Sequence, residues 1–432
     1  MKQNIIIIGV YMKKLFSRLN YLDTASRNTM FFTIEGAVGA IILNMANPFF
    51  SMFARRIGAN DYQIGLVSSL PALMGILAMI PGSIFVDKAG NKKKIVARLI
   101  LLFGIMYPFA ALTPFLGGYS VNLFIIIIAL MNWPYSIFNI SWQSFFSDVM
   151  VSNFNSAFTR RTHISTIIGT TTALTAGLLL SYFPKNDNER ILMYQLFFFL
   201  SFILAIIQSW LLNRVTAGQS PKAVPDKPNG LSLIKECLNN LVIYREFRVF
   251  TILAFIFHVS WHMGWPLFFI YQVDVVGINE AWLSYVNVAI GFAGVITYSL
   301  WGKAIEKKGS RLILIIGTFG LAVNALSILL IHTRNMLLLQ SSITGLTFSA
   351  FTLAVFGNLI EVVPQKNKTI NIAMYTTLIN ISQFISPLLG VWIYKQTSIV
   401  FALAFVGCLR LFATLLFVIR YMRGKKDAVS GQ

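Results

Sequence analysis

A glutamate inside the first long apolar stretch is the residue best placed to do chemistry. Glu35 lies in the sequence Thr33-Ile34-Glu35-Gly36, several residues inside the predicted first membrane span. A charged side chain at the centre of a bilayer costs about 2.5–3.5 kcal/mol on insertion scales, and such groups usually mark ion or substrate pathways. We therefore predict that Glu35 carries a proton or binds a cation. The alternative is that the span starts later and that Glu35 lies at the membrane interface.

Two histidines form a second candidate group. His258 and His262 are one helical turn apart, with Trp261 and Trp265 beside them. The i, i+4 spacing suits two metal ligands, but no Asp, Glu or Cys lies nearby to complete a site, so we expect no metal. Two interpretations stay open: the histidines face a cavity, where they titrate or hydrogen-bond a substrate, or they pack between helices.

Polar and aromatic side chains also recur at helical spacing elsewhere, most clearly around Asn139. Such faces suit an uncharged or amphipathic molecule held by stacking and hydrogen bonds, although polar contacts between helices are an equally common use. The candidate cavity residues are Asn44, Asn47, Asn132, Tyr135, Asn139, Trp142, His258, Trp261, His262, Trp265, Asn358 and Gln383. Arg410, midway along the last apolar stretch, receives no role from the sequence.

The elements that must position these residues are membrane-spanning helices. The chain has 432 residues, of which 56% are apolar and 12% charged, and its mean hydropathy is +0.70; these values exclude a soluble enzyme of this length. About 20 apolar residues cross a bilayer. Twelve spans are predicted, at 30–53, 63–86, 95–116, 121–146, 164–183, 191–213, 248–273, 282–303, 312–332, 337–363, 369–394 and 398–421.

The formal net charge of +20 indicates orientation in a membrane rather than nucleic-acid binding. Most Lys and Arg residues fall in the segments that become cytoplasmic when both termini are placed inside, as the positive-inside rule requires. The Pro-rich segment 214–247 is predicted to be a cytoplasmic linker. It ends in an amphipathic helix that carries Leu231, Ile234, Leu238 and Leu241 on one face.

The two halves of the chain repeat one pattern. Asp87 and Glu306 are 219 residues apart, and each is followed three residues later by Gly and five residues later by a cation. The same offset relates Gly58, Asn60 and Asp61 to Gly277, Asn279 and Glu280. We therefore predict an all-α membrane protein with two copies of one unit, at 1–213 and 248–432, and a site between them.

These motifs resemble the major facilitator superfamily over the whole length of the chain. The hallmark of that family, Gly-x-x-x-Asp-x-x-Gly-x-Lys/Arg, is matched in the first half with Ser83 where Gly is usual, and in the second with Glu for Asp. The matching residues are Asp87, Gly90, Lys92, Gly302, Glu306, Gly309 and Arg311. The resemblance implies twelve helices in two pseudo-symmetric six-helix bundles that rock to give alternating access to a central site.

The resemblance also implies a latch at the cytoplasmic side. Asp87 would meet the start of span 11 near Lys368, and Glu306 the start of span 5 near Arg161. A carboxylate is stabilised at the positive end of a helix dipole. In the loop between spans 4 and 5, Asp148 with Arg160 and Arg161 is similar to the acid and arginine pairs that brace such loops in the family; a solvated surface pair is the alternative.

The functional expectation is a secondary transporter of a small organic molecule, coupled to protons or another ion. No phosphate-binding Gly-x-x-x-x-Gly-Lys-Ser/Thr, His-Glu-x-x-His or Gly-x-Ser-x-Gly sequence is present, so we expect neither ATP use nor an enzyme, and no cofactor. We expect a monomer in the plasma membrane that exports its substrate. The alternatives are uptake of a neutral nutrient, such as a sugar or peptide fragment, and a non-transporting receptor or accessory protein.

Overall fold

The structure, a computed structural model, describes residues 23–88, 91–151, 154–216, 239–364 and 368–430, and within these ranges all side chains except those of 79–81, 83–88, 155, 369, 370 and 425–430. Throughout these ranges the secondary structure is helical. The all-α fold expected from the sequence is confirmed. Most of the predicted linker helix lies outside the described residues; of its apolar positions, only Leu241 is included.

In the described ranges, twelve long helices, numbered in chain order, follow the twelve predicted spans. The first, α1, covers Thr24–Ala46 and continues through a 3₁₀ turn at Asn47–Phe49 into a short helix at Phe50–Arg56. The others are α2 (Asp61–Lys88), α3 (Lys92–Leu112), α4 (Ser120–Val149), α5 (Phe154–Tyr182), α6 (Asp187–Arg214), α7 (Arg245–Ile270), α8 (Glu280–Lys308), α9 (Ser310–Ser327), α10 (Arg334–Val362), α11 (Lys368–Gln396) and α12 (Ile399–Ser430).

By length and apolar composition alone, eleven continuous helical segments of the described residues are able to cross a membrane. One of them, Lys92–Val149, has 58 residues, which is far longer than the roughly 20 that a bilayer requires. This segment turns back between α3 and α4, where Gly117 has a φ of 56° that favours glycine. It therefore supplies two passes, and the total agrees with the twelve predicted.

The repeat seen in the sequence is present in the backbone. Gly58 and Gly277 are at equivalent positions, and both have a positive φ, of 97° and 69° respectively. Two residues later in each half, Asn60 and Asn279 accept a hydrogen bond from the backbone N–H three positions on and so cap α2 and α8. Helix packing repeats as well: α1 packs on α5 and α6, as α7 packs on α11 and α12.

The halves are joined at one end of the helices. We call the end where α1 begins and α12 ends the terminal face, and the opposite end the distal face. Buried side chains of both halves form one apolar core that runs through the first half and continues into the second half near the distal face, including Phe53 of the short helix after α1 and Leu267 of α7. A separate core around Phe250 and Phe257 fills the second half toward the terminal face. In the described residues, the hydrogen bonds between the two helical halves all lie near the distal face.

Some helix ends differ from the predicted spans, with a consequence for the site. The helix α5 starts at Phe154, ten residues before the predicted span, because no Gly or Pro interrupts the sequence from 154 to 164. Arg160 and Arg161, which the sequence analysis places in a loop, therefore belong to α5. Asp148 likewise lies in the last turn of α4.

Candidate functional site

Glu35 is fully buried and is surrounded by donors from three helices. It lies eleven residues inside α1, about 16 Å along the helix at 1.5 Å per residue. Arg161 of α5 approaches Oε2 at 3.2 Å through Nη2, the Trp142 indole N–H of α4 donates to the same oxygen at 3.2 Å, and Gln208 of α6 donates to Oε1 at 2.7 Å. These contacts identify the protein neighbours of Glu35, and its depth in the bilayer stays a prediction.

The guanidinium of Arg161 is held from two sides. It forms the ion pair with Glu35, and its carbon Cζ lies 3.9 Å from the centre of the Trp142 ring. The Arg161 side chain keeps 19% exposure, whereas the Glu35 side chain has none. Arg161 therefore lies between a buried carboxylate and the open side of the site. If Glu35 loses its charge, the Arg161 guanidinium loses the electrostatic stabilisation of its partner.

Two glycines of α1 make room for these partners. A Cβ atom at Gly36 would lie 2.7 Å from Cγ of Arg161, and one at Gly39 would lie 2.7 Å from Nε2 of Gln208. Both distances are shorter than real Cβ contacts. The Glu-Gly-x-x-Gly pattern from 35 to 39 thus lets α5 and α6 bring their polar side chains onto one carboxylate.

A cavity of about 630 Å³ borders this group of residues. Its size is in the usual range for a small-molecule site. It is walled by α1, α3, α4, α5 and α6 of the first half and combines polar groups with several aromatic rings, including Phe103, Phe138 and Phe158. The buried Gln208 Oε1 and Ser165 Oγ atoms have no hydrogen-bond partner in the described residues. The cavity wall therefore offers unused polar atoms together with apolar surface.

An ionic network closes the distal face between the halves. Arg55, in the short helix that follows α1, pairs with Asp274, four residues beyond the end of α7, and Lys395 at the end of α11 pairs with Asp61 at the start of α2. Arg56 reaches the fully buried Glu280 at 3.1 Å. Charge pairs between elements of different halves join them only while the distal ends stay together, so these pairs stabilise the distally closed state.

A second contact at the distal face is made by α5 and α8. Ser284 donates a hydrogen bond to the carbonyl of Ala173 at 2.9 Å, and Ser181 accepts one from the backbone N–H of Ala281 at 2.7 Å. A Cβ at Gly177 would lie 1.9 Å from the Ser284 Oγ atom, so this seam needs glycine.

The predicted cavity residues divide into three groups. Asn44, Tyr135, Asn139 and Trp142 line the 630 Å³ cavity. Trp261 and Trp265 line a second cavity in the other half, with a volume of about 340 Å³. Neither of these cavities is lined by Asn47, Asn132, His258, His262, Asn358 or Gln383.

Several of the polar residues outside the cavities form contacts between helices. Asn47 accepts a hydrogen bond from the Tyr107 hydroxyl at 2.8 Å, and Asn358 accepts one from Arg420 at 3.3 Å. The buried His262 places Nδ1 2.8 Å from Ser382 Oγ of α11. This contact fits helix packing for His262, whereas His258 places Nδ1 2.7 Å from the Ala254 carbonyl of its own helix, and the role of the pair stays a prediction.

The latch motif is partly described. The side chain of Asp87 and the residue Gly90 lie outside the described part. Lys92 pairs with Asp148 at 2.7 Å, and among the described residues no ion pair joins Asp148 to Arg160 or Arg161. Glu306 is exposed, and among the described residues it forms no ion pair with the start of α5.

The sequence analysis missed Gln208, the cavity role of Arg161 and the polar groups of the second cavity, including Asn324. Gln208 and Asn324 lie in spans whose other residues are almost all apolar. A single amide side chain in such a span was the sequence feature that could have identified them. Groups of three or more His, Cys, Asp or Glu side chains arranged for a metal ion are absent from the described residues.

Comparisons with known proteins bear on the family and the fold of this chain. The sequence model of the Major Facilitator Superfamily matches residues 36–334 and 250–431. Among solved structures, a bacterial homologue of the human lysosomal transporter Spinster, inward-facing and occupied, is 12% identical, with a TM-score of 0.69 over 92% of this chain and 97% of that chain. The nucleoside transporter NupG is 12% identical, with a TM-score of 0.67 over 93% and 99% of the two chains.

A transporter of the POT family in complex with a thioalcohol-conjugated peptide is 14% identical and has a TM-score of 0.63, over 92% of this chain and 95% of that chain. At such identities these structures share the fold with this chain. A search of curated protein sequences found no match.

Proposed function

The chain belongs to the Major Facilitator Superfamily, and we propose that within it the protein is a proton-coupled secondary transporter that exports an amphipathic organic molecule across the plasma membrane. The observation that carries this proposal is the buried Glu35–Arg161 pair in the wall of the 630 Å³ cavity. Membership of the family makes the chain a transporter and not an enzyme. Coupling, substrate class and direction are the proposed parts.

Coupling follows from the charges at Glu35. When the carboxyl group takes up a proton, it loses its charge and the ion pair with Arg161 ends. Breaking a buried pair from one side costs about 3–5 kcal/mol when the remaining charge is uncompensated. Protonated Glu35 therefore favours states in which Arg161 meets water or a polar group of the substrate. Loss of the proton restores the pair, so the charged Glu35 carboxylate and a polar group of the substrate compete for one guanidinium.

Alternating access is supported by the asymmetry between the two faces. The distal face is joined by the network around Arg55, Arg56 and Glu280, whereas the cavity is lined by residues of α4 and α5 toward the terminal face, such as Gln143 and Thr162. We propose that the terminal face is cytoplasmic, since Lys92, Lys93 and Arg311 lie there, as the positive-inside rule requires. This state would then be open to the cytoplasm.

The proposed transport cycle uses the two halves, 1–213 and 248–432, as units that rock against each other, with 214–247 as the cytoplasmic linker, in a single chain. Export of an amphipathic molecule is supported by the cavity itself. Its wall offers many aromatic rings, and the charges of Glu35 and Arg161 offset each other. A molecule with an apolar body and a few hydrogen-bonding groups fits this surface better than a sugar, which would leave the rings against polar groups.

Purified protein in liposomes that enclose a pH-sensitive dye would test the proposal. We would add single compounds from a panel containing maltose, uridine, a dipeptide and several amphipathic drugs, and would record proton movement against protein-free liposomes. The proposal expects a proton signal with amphipathic compounds. A signal with maltose, uridine or the dipeptide alone would assign the protein to nutrient uptake. Binding without any flux would assign it to the receptor class, and both results would overturn the proposal.

A further inference from the structure

Arg410 is a buried cation for which the described residues supply no anion. It lies eleven residues inside α12, is 1% exposed, and forms no ion pair in the described part of the chain. Its Nη1 and Nη2 atoms donate to the backbone carbonyls of Leu321 and Trp261, at 3.1 and 3.4 Å. The Nε atom is buried and has no partner among the described residues.

The surroundings of Arg410 stabilise a positive charge only in part. Its Cζ atom lies 4.8 Å from the centre of the Trp261 ring and 5.3 Å from that of Phe268, which are cation–π distances. Ring faces and two carbonyls contribute less than a carboxylate would, and an unpaired charge at membrane depth is expensive. By contrast, each guanidinium of Arg161 and Arg420 has a glutamate partner.

Arg410 also lines the 340 Å³ cavity of the second half. The other lining residues are apolar, aromatic or uncharged polar groups, among them Trp265, Asn324, Gln340 and Thr344. Arg410 is the one charged residue of this lining, so the cavity carries a single positive charge in an environment of low dielectric constant. Such a cavity attracts an anion and repels a cation.

The backbone leaves space for the guanidinium beside the cavity. A Cβ atom at Gly264 of α7 would lie 2.8 Å from Nη2 of Arg410 and 2.7 Å from the Phe268 ring. Gly264 thus leaves space for the guanidinium, whose partnerless Nε donor and Nη2 lie on one edge. This edge of an arginine is the one that binds a carboxylate or phosphate with two parallel hydrogen bonds.

We propose that the cavity around Arg410 is an anion-binding site for a carboxylate or phosphate group attached to an aromatic or apolar body. The guanidinium binds the anionic group, and Trp261, Trp265 and Phe348 pack against the body. The site is separate from the Glu35 cavity, because it is lined only by residues of the second half. Ligand binding at this site can be measured without transport, so the test of this proposal does not depend on proton coupling at Glu35.

The test is calorimetric titration of the purified protein with phenylacetate and phenyl phosphate, and with phenylacetamide as the uncharged analogue of phenylacetate. We expect saturable binding of the anions and weaker binding of the amide. Arg410→Gln should weaken phenylacetate binding by about tenfold or more, the loss expected for a charge-assisted hydrogen bond. Arg410→Lys should lose less, because it keeps the charge without the planar fork.

Two further variants separate the site from general effects. Gly264→Ala displaces the guanidinium without a change of charge and should weaken phenylacetate binding. Arg334→Gln removes an exposed charge at the distal end of the same half and should leave it unchanged. Retention of binding in Arg410→Gln together with its loss in Arg161→Gln would place the anion in the first cavity and overturn the proposal, as would equal binding of acid and amide.

The anionic group has two sources, a dissolved solute and a lipid headgroup. Titrations in nanodiscs of phosphatidylcholine and of phosphatidylglycerol distinguish them. Equal phenylacetate affinity in the two membranes assigns the site to a solute. Weaker affinity in phosphatidylglycerol, with the difference abolished in Arg410→Gln, assigns the same anion site to a lipid.

Discussion

Arg55 and Asp274 stand at equivalent positions of the two halves, 219 residues apart, and form an ion pair with each other across the distal face. The offset is the one that relates Asp87 to Glu306 in the sequence. The pair therefore lies near the pseudo-symmetry axis, where the two repeats meet. A charge pair at this place joins the halves in the distally closed state and is broken when they rock apart.

Neutralising this pair should open the distal face. In Asp274→Asn we expect about a twofold to fivefold rise in labelling of a cysteine introduced at Leu388, in a background without Cys237 and Cys408. Leu388 packs against Gly65 in the α2–α11 contact near the distal face. The effect is modest because the Arg55 and Asp274 side chains are 28% and 37% exposed, and exposed pairs contribute about 0.2–1 kcal/mol. The charge swap Arg55→Asp with Asp274→Arg should restore the original labelling; if it does not, the pair itself is not the cause.

Glu280 should matter more than Asp274, because its side chain is fully buried against Arg56 and Tyr194. Glu280→Gln leaves the Arg56 guanidinium without its buried partner, and loss of one member of a buried pair costs about 3–5 kcal/mol. We expect a clear fall in melting temperature and the largest distal opening of the series. Glu189→Gln, an exposed carboxylate near the distal end of α6, is the matched control. A melting temperature of Glu280→Gln equal to that of Glu189→Gln would contradict this ranking.

The α5–α8 seam gives a steric test of the same closed state. Gly177→Ala puts a methyl group where Ser284 now packs, and overpacking costs about 1–3 kcal/mol. We expect greater distal labelling and a lower melting temperature. Gly291→Ala, on α8 with nothing within 4 Å of the added carbon, should change neither quantity. If the two substitutions behave alike, the seam is looser than the structure indicates.

The latch at Asp87 and Glu306 stays a prediction, and this structure says where to test it. Because Glu306 is exposed and forms no ion pair in the described residues, any stabilisation it provides belongs to the opposite, distally open state. Asp87→Asn and Glu306→Gln should therefore raise labelling of a cysteine at Thr166, in the cavity wall, by about twofold to fivefold, as a helix-dipole contact of 0.3–1 kcal/mol implies. Unchanged labelling in both variants would refute the latch.

The sequence predicted the helices and their repeat because these depend on features that one chain displays. Apolar runs of sufficient length predict membrane spans, and the capped turns at Asn60 and Asn279 recur at one offset. The depth of Glu35 in α1 was equally visible, because a carboxylate in an apolar run is rare and costly.

The partners of Glu35 could not be predicted in this way. A polar residue in a membrane helix indicates that its side chain faces protein, but the sequence does not tell which neighbouring helix it meets. The rotation of α6 decides that Gln208 reaches Glu35, and the extension of α5 toward the terminal face decides that Arg161 does so. For the same reason the sequence does not show that His262 meets Ser382 of α11.

Proton coupling at Glu35 is the central claim, and the most direct measurement compares two transport modes in liposomes that contain Glu35→Gln. The substrate is the compound of the panel that gives a proton signal with the wild-type protein. Exchange of labelled for unlabelled substrate needs no net proton movement, so we predict that it continues in the variant. Accumulation driven by a pH gradient needs a carboxyl group that takes up and releases a proton, so we predict that it is lost. Accumulation in Glu35→Gln equal to that of the wild type would contradict the account.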